Sequence, residues 1–150
     1  MKILLAADGS EFTRKAAKFL ARQVAWYRER PEIHVLYVHP PLPYPNAVGR
    51  KTAEKYQRED SAKTLAASVK PLVKEGIPHQ AHWVVGDVCE SIAAFVKKND
   101  IDLIVMGSHG RSGVSRLLVG SVTESVMRKA SVPVLTLRLP VHPHRESIPL

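Results

Sequence analysis

Apolar residues fall along this chain in two alternating rhythms: short continuous runs, and longer stretches in which they recur every three or four positions. The first rhythm reads as buried strand and the second as amphipathic helix. Lys2 to Ala7 is the first run, closed by Asp8-Gly9-Ser10, a turn in which Ser10 stands as a helix N-cap. Phe12, Ala16, Leu20, Val24 and Tyr27 keep helical spacing to about Arg28, and Pro31 ends that segment. Glu32 to Val38 reads as a second strand. His39 to Lys51 carries Pro40, Pro41, Pro43 and Pro45 and reads as a loop. Lys51 to Lys74 reads as a long helix on Ala62, Leu65, Ala66, Val69, Leu72 and Val73, which Pro71 should kink or terminate.

Gln80 to Val85 is a third strand. Asp87 then reads as an N-cap, with Glu90 at capping-box distance and a helix to about Lys98 on Ile92, Phe95 and Val96. Ile101 to Met106 is a fourth strand, Ser121 to Lys129 a last helix and Pro133 to Leu137 a fifth strand. Leu117 and Leu118 read as a short turn inside the loop before that helix, and Val141 to Leu150 as a loose tail. Strictly alternating strand and helix predicts an α/β domain: an open, doubly wound parallel sheet with helices on both faces. One domain over 1–140 and a tail over 141–150 account for the length. In such sheets ligands sit beyond the carboxyl ends of the strands, where strand order reverses.

The stretch after the fourth strand carries the candidate chemistry. Gly107, Gly110 and Gly113 lie there with Ser108, His109, Arg111, Ser112, Ser115 and Arg116, without a carboxylate, and Gly120-Ser121 opens the helix. A glycine loop that feeds a helix N-terminus favours an anion, through bare N–H groups and the helix dipole. The spacing excludes two common phosphate loops. None of the eight glycines precedes a lysine, as a Walker loop needs, and Gly-x-x-Gly-x-x-Gly is not the dinucleotide fingerprint.

Gly107 and Gly110, nine further residues and then Gly120-Ser121 resemble the ATP-binding branch of the universal stress protein family. Lys2 to Ser10, Val84 to Asp87, Asp100 to Gly107 and Val132 to Leu135 resemble the family's other segments. The resemblance covers roughly residues 1 to 139. It implies strand order 3-2-1-4-5, which puts the reversal between the strands that precede Asp8 and Gly107. It implies adenine beside Ala6, Ala7, Asp8, Val38 and Met106. The phosphates would cross Gly107, Ser108, His109, Gly110, Arg111, Gly120, Ser121, Val122 and Thr123. It further implies ATP as ligand, with Mg²⁺ held mainly by the phosphates, and a homodimer through the fifth strand. The expected role is a stress-response sensor or regulatory module, with slow hydrolysis or none, since no positioned general base stands out. Related adenylating and nucleotidyl-transfer enzymes carry Ser-Gly-Gly-x-Asp-Ser or His-x-Gly-His, and neither occurs here.

Several of these residues have a plainer reading. Asp8 suits a turn that bonds its own backbone. Val38 and Met106 suit the core. Ser121-Val122-Thr123-Glu124 is itself a capping box, so Ser121 reads equally as a cap. His79 and His82, three apart on a strand, should face opposite ways and form no ligand pair; His142 and His144 fall in the tail. No metal-ligating set stands out. The single Cys89 rules out an internal disulfide, and with no signal-like start or membrane-length apolar run it points to a cytoplasmic protein. The formal charge of +8 invites a nucleic-acid reading. However, the 22 lysines and arginines are dispersed without aromatic interleaving, which argues for solvated helix faces.

Overall fold

A strand apolar at nearly every position needs cover on both faces, and the computed structural model supplies it. Residues 1–43, 49–109 and 119–138 are described. Five strands form one parallel sheet: β1 (Lys2–Ala7), β2 (Glu32–His39), β3 (Gln80–Val85), β4 (Leu103–Gly107) and β5 (Val134–Leu137). Their order is β3-β2-β1-β4-β5, as the family resemblance implied. The register pairs Ile3 with Ile33 and with Leu103, and Ala6 with Leu36 and with Met106. Alternate residues of the central strands feed two cores. Ile3, Leu5, Ile33, Val35 and Val105 meet α1 (Glu11–Gln23) and α2 (Arg50–Lys74). Leu4, Leu36, Ile104 and Met106 meet α3 (Val88–Asn99) and α4 (Ser121–Lys129).

The helix starts follow side-chain chemistry. Ser10 Oγ accepts from Thr13 N at 3.2 Å and caps α1, and Asp87 Oδ1 accepts from Glu90 N at 2.9 Å and caps α3. α3 ends with Asp100 in the left-handed region, φ 52°, and Ile101 N donates to Val96 O. That closing turn takes up Ile101 and delays β4 to Leu103, two residues later than expected. A short 3-10 turn, Val24–Trp26, continues α1.

Two expectations about α2 need correction. Ala62, Ala66 and Val73 are exposed, and the buried face carries Ala53, Ser61, Thr64, Leu65, Ser68 and Leu72. α2 packs against α1, whose buried residues include Ala16, Ala17 and Ala21, so both helices present small side chains. The Ser68 hydroxyl bonds Thr64 O at 2.8 Å, which satisfies it inside the helix. Pro71 neither ends nor divides the helix, which runs on to Lys74. It sits in the last turn, where its missing N–H forfeits a single bond, and fully buried Leu72 holds that turn to the core.

His79 precedes β3 and bonds Ile77 O. His82 instead stacks on His34 of β2, with Nε2 3.1 Å from His34 Nδ1. His34 Nε2 lies 3.0 Å from Glu32 Oε1, without the alignment of a hydrogen bond. Burial and the neighbouring His34 hold the His82 imidazole below its ordinary pKa. The tail, the loop residues 44–48, and Gly110 with Arg111, Ser112, Gly113, Ser115, Arg116, Leu117 and Leu118 lie outside the described residues, as do His142 and His144. Among the described residues no helix is long and apolar enough to cross a membrane.

Candidate functional site

The strand order reverses between β1 and β4, and a cavity of about 170 Å³ opens there beyond their carboxyl ends. Asp8-Gly9-Ser10 forms one wall. Gly9 has φ 76°, a conformation that glycine accepts without strain. Asp8 Oδ1 accepts from Ser10 N at 2.9 Å and from Thr13 Oγ1 at 2.5 Å. The plainer, turn-forming reading of Asp8 is therefore realised at Oδ1, while the residue also lines the cavity. Ala6 and Ala7 line it beside Asp8, and Leu36, Tyr37 and Val38 line it from β2. The Tyr37 hydroxyl donates to Asp60 Oδ2 at 3.2 Å.

β4 supplies Met106 and Gly107. A Cβ on Gly107 would lie 2.5 Å from Phe12 Cβ, so the glycine is explained by close packing of α1 on the strand end. Ser108 is fully buried and does not line the cavity. Its amide donates to Leu137 O at 2.9 Å and its carbonyl accepts from Gly120 N at 2.8 Å. The Gly120 amide is thus bonded inside the protein and is not open to a ligand. His109, 8% exposed, lines the cavity against Phe12.

The remaining wall is the start of α4: Gly120, Ser121, Val122 and Thr123. Gly120 takes the N-cap position, with no side-chain cap. Its carbonyl accepts the first helical bond, from Glu124 N at 2.9 Å. Ser121 consequently stands one residue inside the helix, and the capping box expected of it does not form. Thr123 Oγ1 donates to Gly107 O at 3.0 Å and ties the helix start to β4. Among the described residues nothing accepts from the amides of Ser121, Val122 or Thr123. Three open amides at the positive end of a helix dipole make this wall a donor array for an anion. At the far end of α4, Lys129 Nζ holds Glu90 of α3 at 2.6 Å, and that bond raises its pKa.

Eleven of the fourteen residues singled out in the sequence thus line one cavity. Ser108 stands behind the wall; Gly110 and Arg111 lie outside the described residues. Thr13, Leu36, Tyr37, Val88 and Ile92 line it as well and were not foreseen. Among the described residues no group of three or more His, Cys, Asp or Glu side chains is placed to hold a metal ion. Cys89 is free and half-buried in the first turn of α3.

The profile of the universal stress protein family matches residues 1–138. Universal stress protein Slr1230 of Synechocystis is 34% identical over 137 residues, 91% of this chain and 42% of that protein, so the chain spans less than half of that relative. The solved structure of MJ0577, a universal stress protein of Methanocaldococcus jannaschii, superposes with a TM-score of 0.77 at 28% identity, covering 92% of this chain and 95% of that one. A universal stress protein of Archaeoglobus fulgidus, solved in complex with dAMP, gives a TM-score of 0.65 at 27% identity over 92% and 98%. With its sheet order, its crevice and a family profile matched along nearly its whole described length, this chain belongs to the universal stress protein family.

Proposed function

We propose that this chain binds an adenine nucleotide in the crevice between β1 and β4 and acts as a nucleotide-dependent regulatory module. The base lies toward Asp8, Val38 and Met106, and the phosphates lie along His109 and the start of α4. ATP is the proposed physiological ligand, and a Mg²⁺ ion would be carried by its phosphates and water. The observation that carries the reading is the start of α4, which has no side-chain cap: three amides without an acceptor among the described residues stand on one wall of the cavity. The dAMP complex of the Archaeoglobus relative supports adenine as the base. The described lining holds no carboxylate besides Asp8, whose Oδ1 is engaged in its own turn. We therefore expect slow hydrolysis or none.

Calorimetric titration with ATP, AMP and cyclic AMP tests the reading, repeated on Gly120→Val. Saturable binding to the parent chain, weakened in the variant, supports it; no heat with any of the three rejects it. Turnover of many ATP molecules per second would replace a regulatory module with an enzyme. Pairing of two copies along β5, whose Leu135 is exposed, is proposed with it; light scattering that finds only a monomer at micromolar concentration rejects that part.

A further inference from the structure

His109 and Ser108 stand one on the cavity wall and one behind it. The His109 ring is clamped against Phe12, 5.1 Å between centroids, and its buried Nε2 has no hydrogen-bond partner. Its Nδ1 lies 2.9 Å from Ser108 Oγ. Among the described residues the Ser108 hydroxyl, fully buried, has this one partner. A hydroxyl and a ring nitrogen can pair in either sense. If Nδ1–H donated, the hydroxyl proton would be left in the interior without an acceptor, a costly arrangement. If Oγ–H donates to Nδ1, everything behind the wall is satisfied and the ring's single proton rests on Nε2.

We infer that Ser108 is a positioning residue that holds the His109 ring with Nδ1 as acceptor and its donor on Nε2, the buried nitrogen without a partner, from which a phosphoryl oxygen of a ligand in the cavity that His109 lines would accept. This rests on the nucleotide reading above. A phosphoryl oxygen is chosen because the α4 amides that share the cavity are also donors, and such oxygens accept several bonds at once. Ser108 itself never touches the ligand.

The test is calorimetry with AMP and with adenosine on the parent chain, Ser108→Ala, His109→Gln and the double variant. Glutamine offers a donor near the Nε2 position but has no tautomer to set. Ser108→Ala should weaken AMP by roughly three- to tenfold, the worth of one hydrogen bond, and leave adenosine within about twofold. Added to His109→Gln, it should cost nothing further. Nitrogen-15 histidine spectra, with His109→Gln assigning the signal, should place the proton on Nε2 in the parent chain. An undiminished cost of Ser108→Ala in the double variant, or a ring protonated at Nδ1, overturns the inference. If the parent chain binds neither ligand, the nucleotide reading fails, and the spectra still decide the Ser108–His109 pairing.

Discussion

Two helices begin at the same crevice, and they differ in whether a side chain caps the start. At α1, Ser10 Oγ takes Thr13 N, Asp8 Oδ1 takes Ser10 N, and Arg14 Nη1 bonds Gly9 O at 2.9 Å. There a side chain takes the third helical amide, that of Thr13, while among the described residues nothing accepts from the amides of Glu11 and Phe12. At α4 the cap residue is a glycine, and the amides of Ser121, Val122 and Thr123 face the cavity without an acceptor among the described residues. Both dipoles present the same sign to the crevice. A helix terminus therefore recruits an anion through donors that its own side chains have left open, and the field alone does not distinguish the two.

Breaking the seam between the two turns should have the largest effect. Gly107→Val drives a side chain into Phe12, whose Cβ would lie 2.5 Å from the new Cβ. Urea denaturation should show a loss of about 1–3 kcal/mol or more, as overpacking does, and AMP affinity should fall with it. The sharper test gives α4 the cap that α1 has. Gly120 has φ −63° and ψ 147°, a conformation open to any residue. Gly120→Asp should raise stability by a few tenths of a kcal/mol while weakening AMP at least about tenfold, because the carboxylate takes the amides and repels the phosphate. Lower stability together with unchanged affinity would erase the contrast.

The converse variant, Ser10→Ala, should cost about 1 kcal/mol of stability by urea denaturation. AMP affinity should change far less than with Gly120→Asp. The smallest effect separates both turns from the rest of the sheet. His82 is held below its ordinary pKa, so the unfolded chain takes up the proton more readily. Stability is then present at neutral pH and falls as pH drops through the unfolded value, about 6.5, toward the lower folded one. In His82→Gln the difference in Tm between pH 7 and pH 5 should shrink. An unchanged difference would mean that this pair contributes nothing to acid sensitivity.

The central strands were legible because burial on both faces leaves unbroken apolar runs, as at Ile3 to Ala7, whereas their order came from the family resemblance. The caps at Ser10 and Asp87 were legible because capping is local chemistry. What escaped depends on neighbours distant in sequence. Ser61 and Ser68 lie on the buried face of α2, which packs on the alanine-bearing α1, a fact that the spacing of α2 cannot express. The His34–His82 contact needs the β2–β3 register, which sets His34 opposite Gln80. Thr13, Val88 and Ile92 reach the cavity through the rotation of their helices. Ser121 misled because its spacing to Glu124 is a genuine capping signature. The bond from Gly120 N to Ser108 O fixes the helix start one residue earlier, and the signature lapses.

Ser108 gives its amide to Leu137 of β5 and its carbonyl to Gly120 at the head of α4. One peptide neighbourhood is therefore shared between the last rung of an edge strand and the first turn of the helix beside the crevice. Any slide of that helix tugs on the sheet's rim, and any distortion of the rim is felt where the helix begins. Rim and crevice are thus coupled through the residue that follows β4, beside the tie that Thr123 makes to Gly107.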